Sequence, residues 1–140
     1  MSSQPATSLT RQLSQRSVFE ALLHRSPISR ADLAKVTGLS KQTTSEVIDS
    51  FEQQGLVRPI GRTSGNVGRT AVLYELSPEG GHVLGIDLGA LRLTVALADI
   101  AGRVLAEADE PTDSRGGAWV VDQIARLSDR LARDLSLIHI

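Results

Sequence analysis

Apolar residues recur at helical spacing in two short stretches near the start of this chain. The first, LSQRSVFEALLHR, repeats apolar positions every three or four residues and stops before Pro27. The second, ADLAKVT, follows Ser29, which suits a helix N-cap because Asp32 stands three residues later. The apolar residues that this second helix is expected to bury are Leu33, Ala34 and Val36. The pattern therefore predicts two helices joined by a short turn.

A third helical stretch lies between Ser40 and Gly55, and its two sides differ in chemistry. Ser40 is a favourable N-cap, and Gly38 suits the left-handed turn that ends the preceding helix. One side of the stretch carries the residues expected to be buried, Thr44, Val47, Ile48 and Phe51. The other side carries Lys41, Gln42, Thr43, Ser45 and Glu46. This alternation predicts a helix that packs on a core through one face and exposes a polar face.

After Gly55 the period shifts toward that of β-strands. LVRPIG and TAVLYELS are separated by RTSGNVGR, which combines turn-forming glycines with Arg62 and Arg69. Pro59 has no N–H to donate, so the first of these strands is expected at a sheet edge. Residues 11–77 are therefore predicted to form three helices and a β-hairpin, after a disordered leader at residues 1–10.

The second half of the chain predicts a separate small sheet with one helix. Residues 78–82, within SPEGGH, are interpreted as a linker. Three strand-like segments follow, HVLGIDL, LRLTVALADI and VLAEAD, and then the amphipathic helix AWVVDQIARLSDRLARDL. These elements occupy residues 83–135. Residues 135–140, LSLIHI, neither continue the polar face of that helix nor cap it. We interpret them as a non-native tail, and the alternative is a genuine apolar tail that docks on a partner.

Composition adds limits to this picture. Hydrophobic residues make up 41% of the 140 residues and charged residues 22%, values typical of a globular protein. There is no cysteine, and the three histidines lack metal-ligand spacing, so no metal or cofactor is expected in these residues. No apolar run approaches the roughly 20 residues of a membrane span, and the N-terminus lacks a signal-peptide segment. We expect a cytoplasmic location and no membrane partner.

Charge alone identifies no partner. Residues 1–80 carry nine Lys and Arg against seven Asp and Glu, and residues 81–140 carry six against nine. Both imbalances are too small to indicate a nucleic-acid binder by net charge. The placement of the charged and polar residues must carry the argument instead.

Three helices followed by a hairpin form the arrangement of a winged helix-turn-helix, whose third helix enters the DNA major groove. The residues on its polar side that we expect to contact base edges are Gln42, Thr43, Ser45 and Glu46. A glutamine can pair with adenine, a glutamate can accept from cytosine, and a threonine methyl can contact thymine. Lys41 is expected at a phosphate. The alternatives are a polar face that is merely solvated and a winged helix that binds protein.

Four arginines are further candidates for the DNA backbone and groove. Arg16 and Arg30 are expected at phosphates, which would fix the register of the complex without distinguishing sequences. Arg62 and Arg69 flank glycines of the hairpin tip, where an arginine can enter a narrow minor groove. For each arginine the plainer alternative is a solvated surface charge.

Three quoted segments carry a resemblance to a known family. SRADLAKVTGLSKQTTSEVIDSFEQQGLV, then GNVGRT, then VLGIDLGALRLTVALADIAGRVLAE resemble the start of a transcriptional regulator of the ROK family (repressors, open reading frames, kinases). The resemblance extends from about Leu13 to Leu135. It implies an α+β fold: an N-terminal winged helix-turn-helix followed by the truncated start of an actin-like ATPase (sugar-kinase-like) domain.

The same resemblance implies a function. Such regulators bind a double-stranded DNA operator as homo-oligomers and release it when a sugar or sugar phosphate binds. The chain is accordingly expected to be part of a sequence-specific repressor of carbohydrate genes. The zinc site and the sugar-contacting residues of the family would lie beyond Ile140.

The alternative is an ATP-dependent sugar kinase of the same superfamily. Family kinases open their second domain with an Asp-x-Gly-Gly-Thr phosphate loop. The matching segment here, DLGAL, keeps Asp87 and Gly89 but has Ala90 and Leu91 in place of the second glycine and the threonine. A β-carbon and an apolar side chain at those positions weaken a phosphate cradle. No catalytic residue is therefore assigned, and we do not expect an enzyme.

Overall fold

The computed structural model describes the backbone of residues 5–63 and 70–138 and the side chains of residues 9–63 and 70–136. The chain divides into two compact units between Gly80 and Gly81. The first contains α1 (Pro5–Arg25), β1 (Ile28–Ser29), α2 (Arg30–Thr37), α3 (Lys41–Gln53), β2 (Val57–Thr63), β3 (Ala71–Leu76) and a 3-10 helix (Pro78–Gly80). The second contains β4 (His82–Leu88), β5 (Arg92–Asp99), β6 (Val104–Pro111) and α4 (Ala118–Ile138).

Helix α1 begins at Pro5, earlier than the sequence predicted. A proline is tolerated in the first turn of a helix, because the N–H that it lacks would have no partner there. No glycine or further proline interrupts the segment before Arg25. The predicted disordered leader is therefore corrected at residues 5–10, while residues 1–4 lie outside the described residues.

The core of the first unit draws on all three of its long helices and on its sheet. Leu22 of α1, Leu33 of α2 and Ile48 of α3 expose no surface, and Val57 and Tyr74 close the core from the strands. Burying an aliphatic side chain of this size contributes about 1.5–3 kcal/mol. The helical periodicity therefore predicted the elements correctly, and burial explains why they pack together.

Helix α2 has the two caps that the sequence predicted. Ser29 Oγ accepts a hydrogen bond from the backbone N–H three residues later at 3.1 Å. Gly38 has φ +72°, and its N–H donates to the Ala34 carbonyl at 3.0 Å. Leu33 and Ala34 are buried as predicted, but Val36 is 44% exposed. Successive residues of a helix are rotated by 100°, so Val36 lies about 110° from the centre of the face that Leu33 and Ala34 define. The predicted burial of Val36 is therefore wrong.

The β-strands of the first unit form an antiparallel sheet in the order β1-β3-β2. Thr63 pairs with Ala71, which confirms the predicted hairpin on both sides of its tip. Residues 64–69 of that tip lie outside the described residues. Pro59 occurs in β2, an edge strand, as expected for a residue without an N–H.

The segment interpreted as a linker is more ordered than predicted. Pro78–Gly80 form a 3-10 helix, and β4 already begins at His82. The buried Ser77 donates its backbone N–H to the Leu56 carbonyl at 2.8 Å, which ties the end of β3 to the chain before β2. The predicted linker at residues 78–82 is therefore corrected to a short structured connection.

The second unit is an antiparallel sheet in the order β4-β5-β6, with α4 packed on β5 and β6. Alternate residues of β5 point toward α4, and the resulting core consists of Leu93, Val95, Leu97, Ala108, Leu127 and Leu131. The three predicted strands and the amphipathic helix are confirmed. Helix α4 continues to Ile138, so the backbone stays helical past Leu135, where the sequence suggested a non-native tail.

Candidate nucleic-acid interface

The start of α3 is fixed by a glycine turn and a serine cap. The positive φ of Gly38 lets the chain reverse after α2, and a side chain there would adopt the left-handed region at a cost. Ser40 has extended backbone angles (φ −64°, ψ 154°), and its Oγ accepts from the Thr43 N–H at 3.0 Å. The remaining free N–H groups of the first turn point outward with the positive end of the helix dipole. This end of α3 suits a phosphate.

The inner face of α3 holds the helix on the core. Its buried residues are the four that the sequence predicted, Thr44, Val47, Ile48 and Phe51. The Thr44 hydroxyl donates to the Ser40 carbonyl at 2.9 Å, so a buried polar group is satisfied within the helix. The Phe51 ring packs edge-on against Phe19 of α1, with centroids 6.3 Å apart. The rotation of α3 about its own axis is therefore set by packing.

The outer face of α3 presents the polar residues that the sequence singled out. Lys41, Gln42 and Glu46 are exposed, and Thr43 and Ser45 are half-buried. Gln42 Nε2 donates to Glu46 Oε1 at 3.0 Å, which joins these two side chains into one hydrogen-bonded pair. The Thr43 hydroxyl contacts Ser40 Oγ at 2.8 Å. The structure brings the predicted base-contacting residues together on one accessible surface.

Two of the predicted backbone contacts lie elsewhere among the described residues of the first unit. Arg16 is exposed on α1 and pairs with Glu20 at 2.8 Å, and the hydrogen bond to this carboxylate raises the pKa of the guanidinium. Arg62 is exposed on β2, opposite Val72 of β3. Arg69 lies outside the described residues. The DNA contacts of these arginines stay predictions.

Arg30 occupies a different environment from the one expected of a free phosphate ligand. Its guanidinium donates to Asp49 Oδ1 at 2.7 Å and to Glu52 Oε2 at 3.3 Å, both on α3. It also donates to the Ser45 carbonyl at 3.4 Å and to the Tyr74 hydroxyl at 3.1 Å. No local sequence pattern predicts this cluster, since Arg30 and Tyr74 stand 44 positions apart. Its predicted phosphate contact is untested.

A cleft of about 480 Å³ separates α1 from α3 beside the polar face. Its lining residues are Thr10, Arg11, Ser14, Gln15, Thr43, Glu46, Val47 and Ser50. The sequence does not predict this cleft, because the approach of two helices cannot be deduced from either one alone. The cleft extends the polar face of α3 onto residues 10–15 of α1.

The second unit offers little for phosphate or metal chemistry. Asp87 is exposed near the end of β4, and Gly89 makes the turn into β5, donating its N–H to the Arg92 carbonyl at 2.9 Å. A β-carbon at Gly89 would lie 3.1 Å from that same oxygen, which is a tight contact. The turn is therefore a sufficient reason for a glycine at this position. Among the described residues, no group of three or more His, Asp or Glu side chains could hold a metal ion.

Comparison with known proteins places these elements among transcriptional regulators. Residues 7–70 match the MarR family. The chain is 32% identical over 95 residues to the xylose repressor of Bacillus spizizenii, which covers 68% of this chain. It is 26% identical over 107 residues to the DNA-binding transcriptional dual regulator NagC of Escherichia coli, covering 76% of this chain. These relatives are named as regulators rather than kinases.

A solved structure is similar in fold to part of this chain. The crystal structure of a ROK family transcriptional regulator, a homolog of the E. coli MLC protein, matches 73% of this chain with a TM-score of 0.53 and 26% identity. The matched region covers 26% of that protein, and the chain spans about a quarter of the length of the curated relatives. In the part of the chain described here, no helix has the length and apolarity to cross a bilayer.

Proposed function

Because this chain belongs to the ROK family of transcriptional regulators, we propose that its first unit binds operator DNA in a sequence-specific manner. The observation that carries the proposal is the two-sided α3, which is capped at Ser40, held by a buried face and polar on its exposed face. Such a helix can enter the major groove without losing its own core contacts. We propose that Gln42 and Glu46 contact base edges and that Lys41 contacts a phosphate.

The role of the whole protein is proposed from its relatives. Xylose repressor and NagC are regulators by name, and carbohydrate genes are accordingly the proposed targets. We further propose that residues 81–140 begin an actin-like, sugar-kinase-like domain, that the full protein is a cytoplasmic homo-oligomer, and that a sugar or sugar phosphate relieves repression. Kinase activity is not proposed, since Gly89 is accounted for by its turn and the relatives are named as repressors.

Selection of duplexes from a random-sequence library tests the proposal. The wild-type chain should enrich a defined sequence at low ionic strength. Gln42→Ala and Glu46→Ala should each change the preferred sequence, at about 1–3 kcal/mol per lost base contact. Lys41→Ala should instead weaken all sequences equally and lower the slope of log K against log salt by about one.

The variants distinguish between two ways in which the proposal could be wrong. If Gln42→Ala and Glu46→Ala weaken selected and random duplexes equally, those residues do not contact bases. If the wild-type chain enriches no sequence, sequence-specific binding by this unit is wrong. DNA binding should weaken steeply with added salt, because counterions are released, whereas a winged helix that binds a protein through an apolar interface should respond little.

A further inference from the structure

The guanidinium of Arg30 is almost fully used within the first unit. An arginine has five N–H groups, and four hydrogen bonds run from Arg30 to the side chains of Asp49, Glu52 and Tyr74 and to the Ser45 carbonyl. Its side chain retains only 30% of its exposure. A phosphate is best held by a paired fork of N–H groups, and no such fork remains free.

The proposed DNA-contacting helix is acidic, and Arg30 offsets part of its negative charge. Helix α3 carries one cation, Lys41, against three carboxylates, Glu46, Asp49 and Glu52. Among the ion pairs of the described residues, Arg30 is the partner of both Asp49 and Glu52. Unpaired carboxylates on this helix would repel the phosphates of a duplex that approaches its polar face.

The same guanidinium joins three elements. It begins α2, contacts α3 through a main-chain carbonyl and two carboxylates, and lies over the ring of the buried Tyr74 in β3 at 5.1 Å from the centroid. Partial burial lowers the pKa of Arg30, but its hydrogen bonds to Asp49 and Tyr74 outweigh that effect, and the net shift is upward. The group is therefore charged wherever the domain is folded.

We propose that Arg30 is a positioning residue for DNA binding: it pairs with Asp49 and Glu52, which weakens their repulsion of phosphates, it fixes α3 against α2 and β3, and it does not bind phosphate itself. This inference rests on the proposed function of α3. It replaces the expectation that Arg30 contributes a backbone contact. The two roles make opposite predictions when its acidic partners are neutralised.

Four variants of the full 140-residue chain separate these roles. Arg30→Gln removes the cation, and Arg30→Gln with Asp49→Asn and Glu52→Gln removes the cation and both carboxylates. Asp49→Asn with Glu52→Gln leaves Arg30 in place. Arg58→Gln is the matched control, since Arg58 also pairs with two carboxylates, Glu75 at 2.8 Å and Glu79 at 3.5 Å, but on the hairpin. Affinity is measured for a duplex selected by the wild-type chain and for a random-sequence duplex of equal length.

Arg30→Gln should lose on the order of tenfold in affinity for the selected duplex, because two carboxylates then face phosphates unpaired. The triple variant should return to within about threefold of wild type, and Arg58→Gln should lose about twofold at most. The ratio of selected to random affinity should fall for Arg30→Gln and recover in the triple variant. A role in stability alone would change the melting temperature without this recovery.

Two results would overturn the inference while leaving DNA binding intact. One is a triple variant as weak as Arg30→Gln, with a salt slope smaller by about one, as expected for a lost phosphate contact. The other is wild-type affinity in Arg30→Gln. If circular dichroism shows that Arg30→Gln does not fold, Asp49→Asn with Glu52→Gln decides: it should bind at least as tightly as wild type, and a tenfold loss would refute the shielding role. Failure of the wild-type chain to select any sequence would instead refute the proposed function.

Discussion

Truncating Ile48 tests whether the buried side of α3 fixes its polar side. Ile48 exposes none of its surface, so Ile48→Ala removes three carbon groups from a closed core. At about 0.8 kcal/mol per buried carbon group the transfer term is about 2.4 kcal/mol, and the cavity raises the expected loss to about 3–4 kcal/mol. A loss of that size is a large part of the stability of a small unit.

Hydrogen exchange followed by mass spectrometry measures the local stability of α3 itself. The amides of Lys41–Gln53 should exchange roughly 100- to 1,000-fold faster in Ile48→Ala, because each 1.4 kcal/mol of the expected 3–4 kcal/mol loss corresponds to a factor of ten. Amides of α4, in the second unit, serve as the reference within the same molecule. Affinity for selected and random duplexes should fall together, since the whole helix loses its support.

Ile60→Ala is the matched control, because it makes the same chemical change in the same unit. Ile60 is 43% exposed on the edge strand β2, so its truncation should cost less than about 1 kcal/mol. Equal acceleration of α3 exchange in both variants, or none in Ile48→Ala, would contradict the conclusion that this buried face holds the helix.

Three further outcomes follow from local geometry. Gly38→Ala should destabilise the first unit by about 1 kcal/mol in thermal melts, because φ +72° is unfavourable for a side chain. Ser40→Ala should cost about 1 kcal/mol and speed exchange of the Thr43 amide, which loses its 3.0 Å acceptor. Hydrogen bonds from the Arg126 guanidinium and from the Gln123 side-chain amide hold the pKa of Glu110 at about 2, below its ordinary 4.5. The stability from this pair should therefore be complete above about pH 4.5 and decline as the pH falls toward 2, and Glu110→Gln should flatten that part of the melting profile.

The parts of the fold that the sequence predicted correctly depend on short-range interactions. The Ser40 cap spans three residues, and the Gly38 turn depends on one pair of backbone angles. The alternation of buried and exposed residues along α3 has the period of the helix itself, so its two faces were predictable. The exposed Val36 shows the limit of this reasoning in an eight-residue helix, because an apolar residue can lie off the buried face that Leu33 and Ala34 define.

The features that the sequence could not predict depend on residues that are far apart in the chain. Arg30 and Tyr74 are separated by 44 positions, and only the assembled sheet and helices bring them to 3.1 Å. A surface arginine and a phosphate-binding arginine have the same local sequence pattern, so the ion pairs of Arg30 could not be predicted from the sequence. The cleft between α1 and α3 is a second example, since its lining combines residues near position 12 with residues near position 46.

The distribution of cations bears on how one copy of this unit can bind an operator. Among the described residues of the first unit, the cations without an ion-pair partner are Arg11, Arg25, Lys41 and Arg62, whereas Arg16, Arg30, Lys35 and Arg58 are paired with carboxylates of the same unit. Counterion release supplies much of the affinity of a DNA-binding protein, and the pairing of half of these cations limits the release that one unit can supply. A single unit would therefore depend strongly on base contacts from a short helix. Joining two such units on neighbouring half-sites multiplies their effective affinity without new contacts, which is the physical reason that the proposed operator binding favours an oligomer over a monomer.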